Sequence, residues 1–455
     1  MGTLSLSEQI LERTVILSRC SIPDRIFHEA KRCILDYCGV VLAGAETNRK
    51  KNKKYLKTVH SEGNITVFGM SQKTDVYTAA LLNGMDAHVI ELDDGHRFGM
   101  LHMGAPIISA IFAVAEERKI EGIRILRSII CGYDIAIALA RHMQPGHKLK
   151  GYHATGTCCT VGAAMAIALL LDYDMEQMQG TLSAAATSAA GLLEVIDDAS
   201  QLKPYNIGRA AMDAVAAAFT GAAGFRGPDD VIGGKRGFYA ALASLDDYQS
   251  VKRCTLFEEN VYAISEIYTK SYAACRHCHP AIEGALYLRK NLYPLDVNQI
   301  ERIKVHTYKL AIDGHDHIEV RSVSSAKMST PYSVAVAIIY GLCGLNAYEN
   351  KILTDKTVAK LMSRIAVVLS EELDALNPQK RSAIVEVEFK NGIIVSKRVD
   401  YPKGEPENRL DDAELELKTK ELVLFGGKTD DEVKEIFSSV WNYEDYADSL
   451  YFQLN

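Results

Sequence analysis

No apolar run in this 455-residue chain is long enough to cross a bilayer. The longest, residues 161–171, ends at Asp172 after about eleven residues, where a spanning helix needs about 20. A signal peptide is lacking as well, because Met1-Gly2-Thr3-Leu4-Ser5-Leu6-Ser7-Glu8 has neither a basic start nor an apolar core. Leu6 stands where a myristoylation signal requires Ser or Thr. These absences predict a cytoplasmic protein with no membrane partner. Positive charge is not in excess: 51 Lys and Arg face 58 Asp and Glu, a net charge of −7, which argues against nucleic-acid binding. The one basic block, Arg49-Lys50-Lys51-Asn52-Lys53-Lys54, reads as a solvated loop or helix start. The ten cysteines are scattered with no export signal, so they read as free, mostly buried thiols. Also missing are a Walker loop, a dinucleotide fingerprint, a Gly-x-Ser-x-Gly elbow and a His-Glu-x-x-His pair. The nucleotide-binding, hydrolase and zinc-protease chemistries that those motifs carry have no support here.

What is present is a globular composition, 48% apolar and 24% charged, over a length that suggests two or three domains. Ser5-x-x-Glu8 forms a capping box ahead of Ile10, Leu11 and Ile16. Pro23 opens a helix that Gly44 is expected to stop. Helical spacing covers 76–89, 106–119, 122–141, 157–171, 176–190 and 209–221. The Ala- and Gly-rich members read as central helices packed at close range. After about Tyr268 the texture changes. Ile303, Val305 and Thr307 alternate with polar residues, and so do Ala383, Val385, Val387 and Phe389. Asn391-Gly392 then predicts a hairpin with a tight primed turn. The fold class expected is mostly α, a large all-α domain over 1–268 and 410–455 with a smaller α+β domain over 269–409 built on an antiparallel sheet.

Four clusters carry chemistry. The densest is Glu91-Leu92-Asp93-Asp94-Gly95-His96, followed by Arg97 and His102, read as a loop between helices. The second is Gly151-Tyr152-His153-Ala154-Thr155-Gly156, with His153 near a helix N-terminus. The third, Gln201-Leu202-Lys203-Pro204-Tyr205-Asn206-Ile207-Gly208, reads as a loop leading into an Ala-rich helix. The fourth runs from Lys270 through Cys275-Arg276-His277-Cys278-His279-Pro280. Each of the last three sets a cation or imidazole ahead of a helix, an arrangement suited to carboxylates. Cys275-x-x-Cys278 invites a zinc reading, but a structural site wants four converging ligands and no second Cys/His pair lies nearby. No metal is expected there.

In this order and spacing, with Leu82-Asn83-Gly84 and Ala326-Lys327-Met328-Ser329-Thr330-Pro331-Tyr332 besides, the clusters resemble the MmgE/PrpD family over nearly the whole chain. The resemblance implies a helical domain completed by C-terminal helices, an α+β lid domain and an active site between them. It implies a homodimer that needs no metal or organic cofactor. Carried over by position, it implies catalytic roles for Asp93, Asp94, His102, His153, Lys203 and His279, with Lys270 at the start of the lid motif. The family typically reads Asp-Phe-Asp-Asp-Thr where this chain has Glu91-Leu92-Asp93-Asp94-Gly95. Asn206 stands where histidine is common.

The chemistry that fits is removal of a proton α to a carboxylate of a small di- or tricarboxylate. His153 or His102 would act as base, and Lys203, Lys270, Arg276, His277 and Arg97 would bind the substrate. The expected enzyme is a lyase resembling 2-methylcitrate dehydratase. Iminodisuccinate-type epimerisation, cis-aconitate-type decarboxylation and non-catalytic carboxylate binding are the alternatives.

Overall fold

The computed structural model describes residues 4–120, 122–196, 200–292, 294–444, 450–451 and 453–455. The chain divides into two compact units. The first is Met1–Val195, Leu202–Tyr268 and Asp411–Asn455, and the second is Ile196–Gln201 and Thr269–Leu410. No helix among the described residues is long and apolar enough to cross a membrane.

The first unit is helical. Ser5 and Glu8 form the expected reciprocal cap on the helix Leu6–Arg19. At the centre lies Ala154–Leu170, buried at every position and packed against Ile123–Arg141, Lys203–Ala222 and Gly104–Arg118. Its small side chains allow neighbours to pack around its whole circumference. Truncating a large member such as Ile167 to Ala would cost about 2–5 kcal/mol.

Gly44 does not end its helix, which runs unbroken from Asp24 to Val59. A Cβ at Gly44 would collide with the carbonyl of Asp86, so this glycine serves close packing against the next helix, Val76–Val89. The basic block therefore lies within a helix, and Asn52 inside it donates to the buried Asp86 at 2.6 Å. The helix expected from residue 209 starts earlier, at Lys203, with Pro204 in its first turn. Lys203 and Asn206 thus sit on a helix rather than on a loop. The helix Asp412–Phe425 belongs to the first unit, where Lys418 ion-pairs with Asp36 at 2.6 Å.

The second unit holds a four-stranded sheet in the order Ile365–Leu369, Ile300–Thr307, Ala383–Phe389, Ile394–Val399. It is mixed rather than purely antiparallel. Ile300–Thr307 runs antiparallel to Ala383–Phe389 but parallel to Ile365–Leu369. A parallel neighbour needs a crossover, which the helices Thr330–Tyr340 and Lys356–Met362 supply. The alternating Ile303 and Val305 are buried, and the helix His279–Asn291 packs on the two strands after them. The hairpin at Asn391-Gly392 is present, but not with a primed turn. Gly392 alone has positive φ, and Phe389 bonds both Gly392 and Ile393, so a three-residue loop closes it.

Candidate active site

The first unit gathers a compact titratable cluster around the loop after Val76–Val89. The chain bends at Glu91, which has a left-handed φ of 58°. Its buried carboxylate forms an ion pair with Lys203 and lies 3.4 Å from Nε2 of His88. Further along, Lys418 Nζ donates to the carbonyl of Leu92 at 2.7 Å, pinning the loop to the C-terminal helix. Gly95 and Tyr268 exchange backbone hydrogen bonds of 3.0 and 2.8 Å. A Cβ at Gly95 would run into the phenol of Tyr268, so the hydroxyl-bearing residue common in the resembled motif has no room here.

Asp93 Oδ2 lies 2.7 Å from His88 Nδ1 and 3.6 Å from His102 Nδ1, so one carboxylate serves two imidazoles. The rings of His88 and His102 are 5.0 Å apart between centroids. Burial opposes protonation of His88, but Asp93 and Glu91 outweigh it and raise its pKa. Asp94 accepts from the Tyr133 hydroxyl at 2.6 Å and from the backbone N–H of Gly104 at 2.9 Å. Burial nevertheless pushes its carboxyl up to about 7, with the charges of Asp36 and Asp93 adding to the effect.

The two histidines singled out from sequence have opposite tautomers. His102 Nδ1 lies 2.6 Å from the carbonyl of Asp94. A carbonyl can only accept, so Nδ1 carries the proton and Nε2 is the basic nitrogen. Its backbone is held by Thr155 at 3.0 Å. His153, the residue before the helix Ala154–Leu170, has Nδ1 3.3 Å from Nδ2 of Asn206. The same amide nitrogen donates to the carbonyl of Leu192 at 3.0 Å, which fixes the amide's orientation. His153 Nδ1 therefore accepts, and the neutral ring carries its proton on Nε2. Burial, followed by the neighbouring Lys203, His88 and His102, holds the His153 pKa well below the ordinary imidazole value.

Asp93, Asp94, His102, His153 and Lys203 are thus gathered in one place, joined by His88 and Glu91. Sequence reasoning passed over His88 because it sits in a helical pattern; its place five residues before Asp93, in the last helical turn, was the available signal. Arg97 is buried, with its guanidinium over the Phe98 ring at 5.1 Å. His96 accepts from the backbone N–H of Gly99 and lies 3.6 Å from Glu266.

Among the described residues, one group is compact enough to hold a metal ion: His88, Asp93 and His102, with ligand atoms within 4.8 Å of one another. As arranged, His102 Nδ1 is protonated toward Asp94, so His102 could offer an ion only Nε2. The Cys/His run of 275–279 does not converge. Its members face Met328, Tyr308, His315 and Arg276 separately.

The remaining candidates lie in the second unit. Arg276 donates through Nε and Nη2 to Oε1 of Glu405, at 3.0 and 2.6 Å, and through Nη1 to His279 Nδ1 at 2.6 Å. His279 is fully buried, with Nε2 3.2 Å from the carbonyl of Ala274. His277 contacts the Tyr308 hydroxyl at 2.7 Å, and Lys270 is fully buried. Arg276, expected to hold a substrate carboxylate, holds the carboxylate of Glu405.

The chain is similar to known proteins along most of its length. Residues 9–250 match the MmgE/PrpD N-terminal domain and residues 272–443 the MmgE/PrpD C-terminal domain. A cis-aconitate decarboxylase-like protein of Aspergillus oryzae is 26% identical over 95% of this chain and 93% of its own length. The cis-aconitate decarboxylase of Mus musculus is 23% identical over 83% of this chain and 78% of its own. The Homo sapiens cis-aconitate decarboxylase is 27% identical over 49% and 47%. With both domains matched in order across most of its length, the chain belongs to the MmgE/PrpD family.

Proposed function

We propose that this protein is a lyase-type enzyme that moves a proton at a carbon α to a carboxylate of a small di- or tricarboxylate. The observation that carries the reading is the opposed pair of tautomers at His102 and His153. His102 Nε2, with Asp93 beside the ring, acts as the base or returns the proton. His153, kept neutral, presents Nε2–H to the oxygen on which charge develops. A neutral imidazole donor avoids the tight ion pair that a charged one would form with the ground-state carboxylate. Lys203 supplies positive charge for the substrate, with Glu91 as its counter-ion until the substrate binds. Asp94, its carboxyl pushed up by burial, holds the loop through Tyr133 and Gly104.

The names of the curated relatives favour decarboxylation of an unsaturated tricarboxylate such as cis-aconitate over the dehydration expected first from sequence. The same proton-transfer pair serves either outcome, and epimerisation too. Homodimeric assembly and independence from metals and organic cofactors belong to this proposal, as do a catalytic role for His279 and substrate-binding roles for Lys270 and His277. A panel of cis-aconitate, 2-methylcitrate and imino analogues, followed by NMR in deuterium oxide, tests the reading. Deuterium at the α carbon with loss of carbon dioxide supports decarboxylation, and loss of water supports dehydration. Absence of exchange with every member would refute it.

A further inference from the structure

The second unit carries a thiol–imidazole pair outside the residues given a role above. Cys275 Sγ lies 3.0 Å from Nε2 of His315. The other ring nitrogen, Nδ1, lies 2.8 Å from the carbonyl of Asp313. That carbonyl can only accept, so Nδ1 carries the proton and Nε2 turns its lone pair to the sulfur. The thiol is then the donor, S–H to Nε2. This is the order nucleophile, base, orienting acceptor that activates a cysteine. Both partners are held in place. Cys275 N–H donates to the carbonyl of Lys327 at 2.9 Å, and the His315 carbonyl accepts from Thr330 N–H at 2.8 Å. The His315 ring packs edge-on against His277, 5.2 Å away, so it cannot swing from the sulfur without repacking.

The other cysteines offer a contrast. Cys33, Cys38, Cys131, Cys158 and Cys159 are buried, and burial pushes each thiol up. Cys275 is only half-buried, as are Cys20, Cys254 and Cys343.

We infer that Cys275 is an activated thiol, a modification site for soft electrophiles, with His315 as its base. With an alkyl halide the sulfur forms an S–C bond, halide leaves, and the thiol proton passes to His315 Nε2 and then to solvent. With a hydroperoxide the sulfur takes the outer oxygen, the O–O bond breaks, and the proton leaves on the alcohol or water. The product is then a sulfenic acid.

The test is competitive alkylation of the folded full-length chain with limiting iodoacetamide, each cysteine quantified by peptide mass spectrometry between pH 5 and 10. Cys275 should react at least about tenfold faster at pH 6 than Cys20, Cys254 and Cys343, with a midpoint below the ordinary value of about 8.5. His315→Asn should slow Cys275 at pH 6 by about tenfold and leave its rate at pH 10 unchanged. A wild-type midpoint at or above about 8.5 would overturn the assignment, whether or not the variant folds. So would a rate at pH 6 that the substitution does not change.

Discussion

The two units each carry histidines, cations and carboxylates, yet use them differently. Around the loop at 91–102, the partners of titratable groups are other titratable groups: His88 with Asp93, Glu91 with Lys203, and His102 beside Asp93. A proton placed anywhere in that cluster changes the affinity of its neighbours for another. Around 270–279, Arg276 is tied to Glu405 and His279 in a nearly fully buried network. That Arg–carboxylate pair is only 3% and 1% exposed. Similar residue composition thus yields linked imidazoles and carboxylates in one unit and a guanidinium–carboxylate clamp in the other. What separates them is whether a carboxylate meets an imidazole or a guanidinium.

That contrast sets how substitutions should behave. The largest effect belongs to the first cluster: His102→Gln should lower proton exchange at least about a hundredfold with little change in thermal midpoint. Arg276→Met should do the reverse, lowering stability by about 3–5 kcal/mol because it breaks a buried ion pair. Adding Glu405→Leu should recover most of that loss, as denaturant titration will read. If Arg276→Met instead leaves stability intact, the clamp reading fails.

Asn206→Leu removes the donor that fixes His153, so kcat should fall by about tenfold to a hundredfold with a smaller change in KM. Asn206→Asp offers a carboxylate in its place and should raise the His153 pKa, moving the acidic limb of the rate profile upward. A KM effect alone would make Asn206 a packing residue.

The smallest effect concerns Asp94. Its folded pKa of about 7 lies above the ordinary carboxyl value, so the folded state holds a proton that the unfolded chain releases. Stability should therefore fall as pH rises from about 4 to about 7. Asp94→Asn, which cannot ionise, should flatten that part of the difference between pH 5 and 8. Parallel pH dependence in both proteins would remove Asp94 as a contributor.

Much of this was legible in sequence for physical reasons. Asp93, Asp94, His102 and His153 stand out because such groups are costly to bury unless they meet. Strand alternation at 300–307 and 383–389 marked the sheet. The parallel neighbour at Ile365–Leu369 did not show itself, because strand direction is set by the crossover rather than by alternation. Gly44 was misread as a stop since its role depends on the carbonyl of Asp86, distant in sequence. His88 was hidden within a helix, and the Glu405 partner of Arg276 lies 129 residues away. The tautomers needed coordinates, because each is decided by a backbone carbonyl or an amide that no motif encodes.

In the proposed function, the cluster at His102 and His153 moves a substrate proton. Its most direct test is the deuterium-exchange rate of wild type against His102→Gln on whichever carboxylate in the panel exchanges, with both proteins shown folded by circular dichroism. Wild type should exchange, and the variant should lose at least about a hundredfold. Equal rates in the two proteins would contradict it.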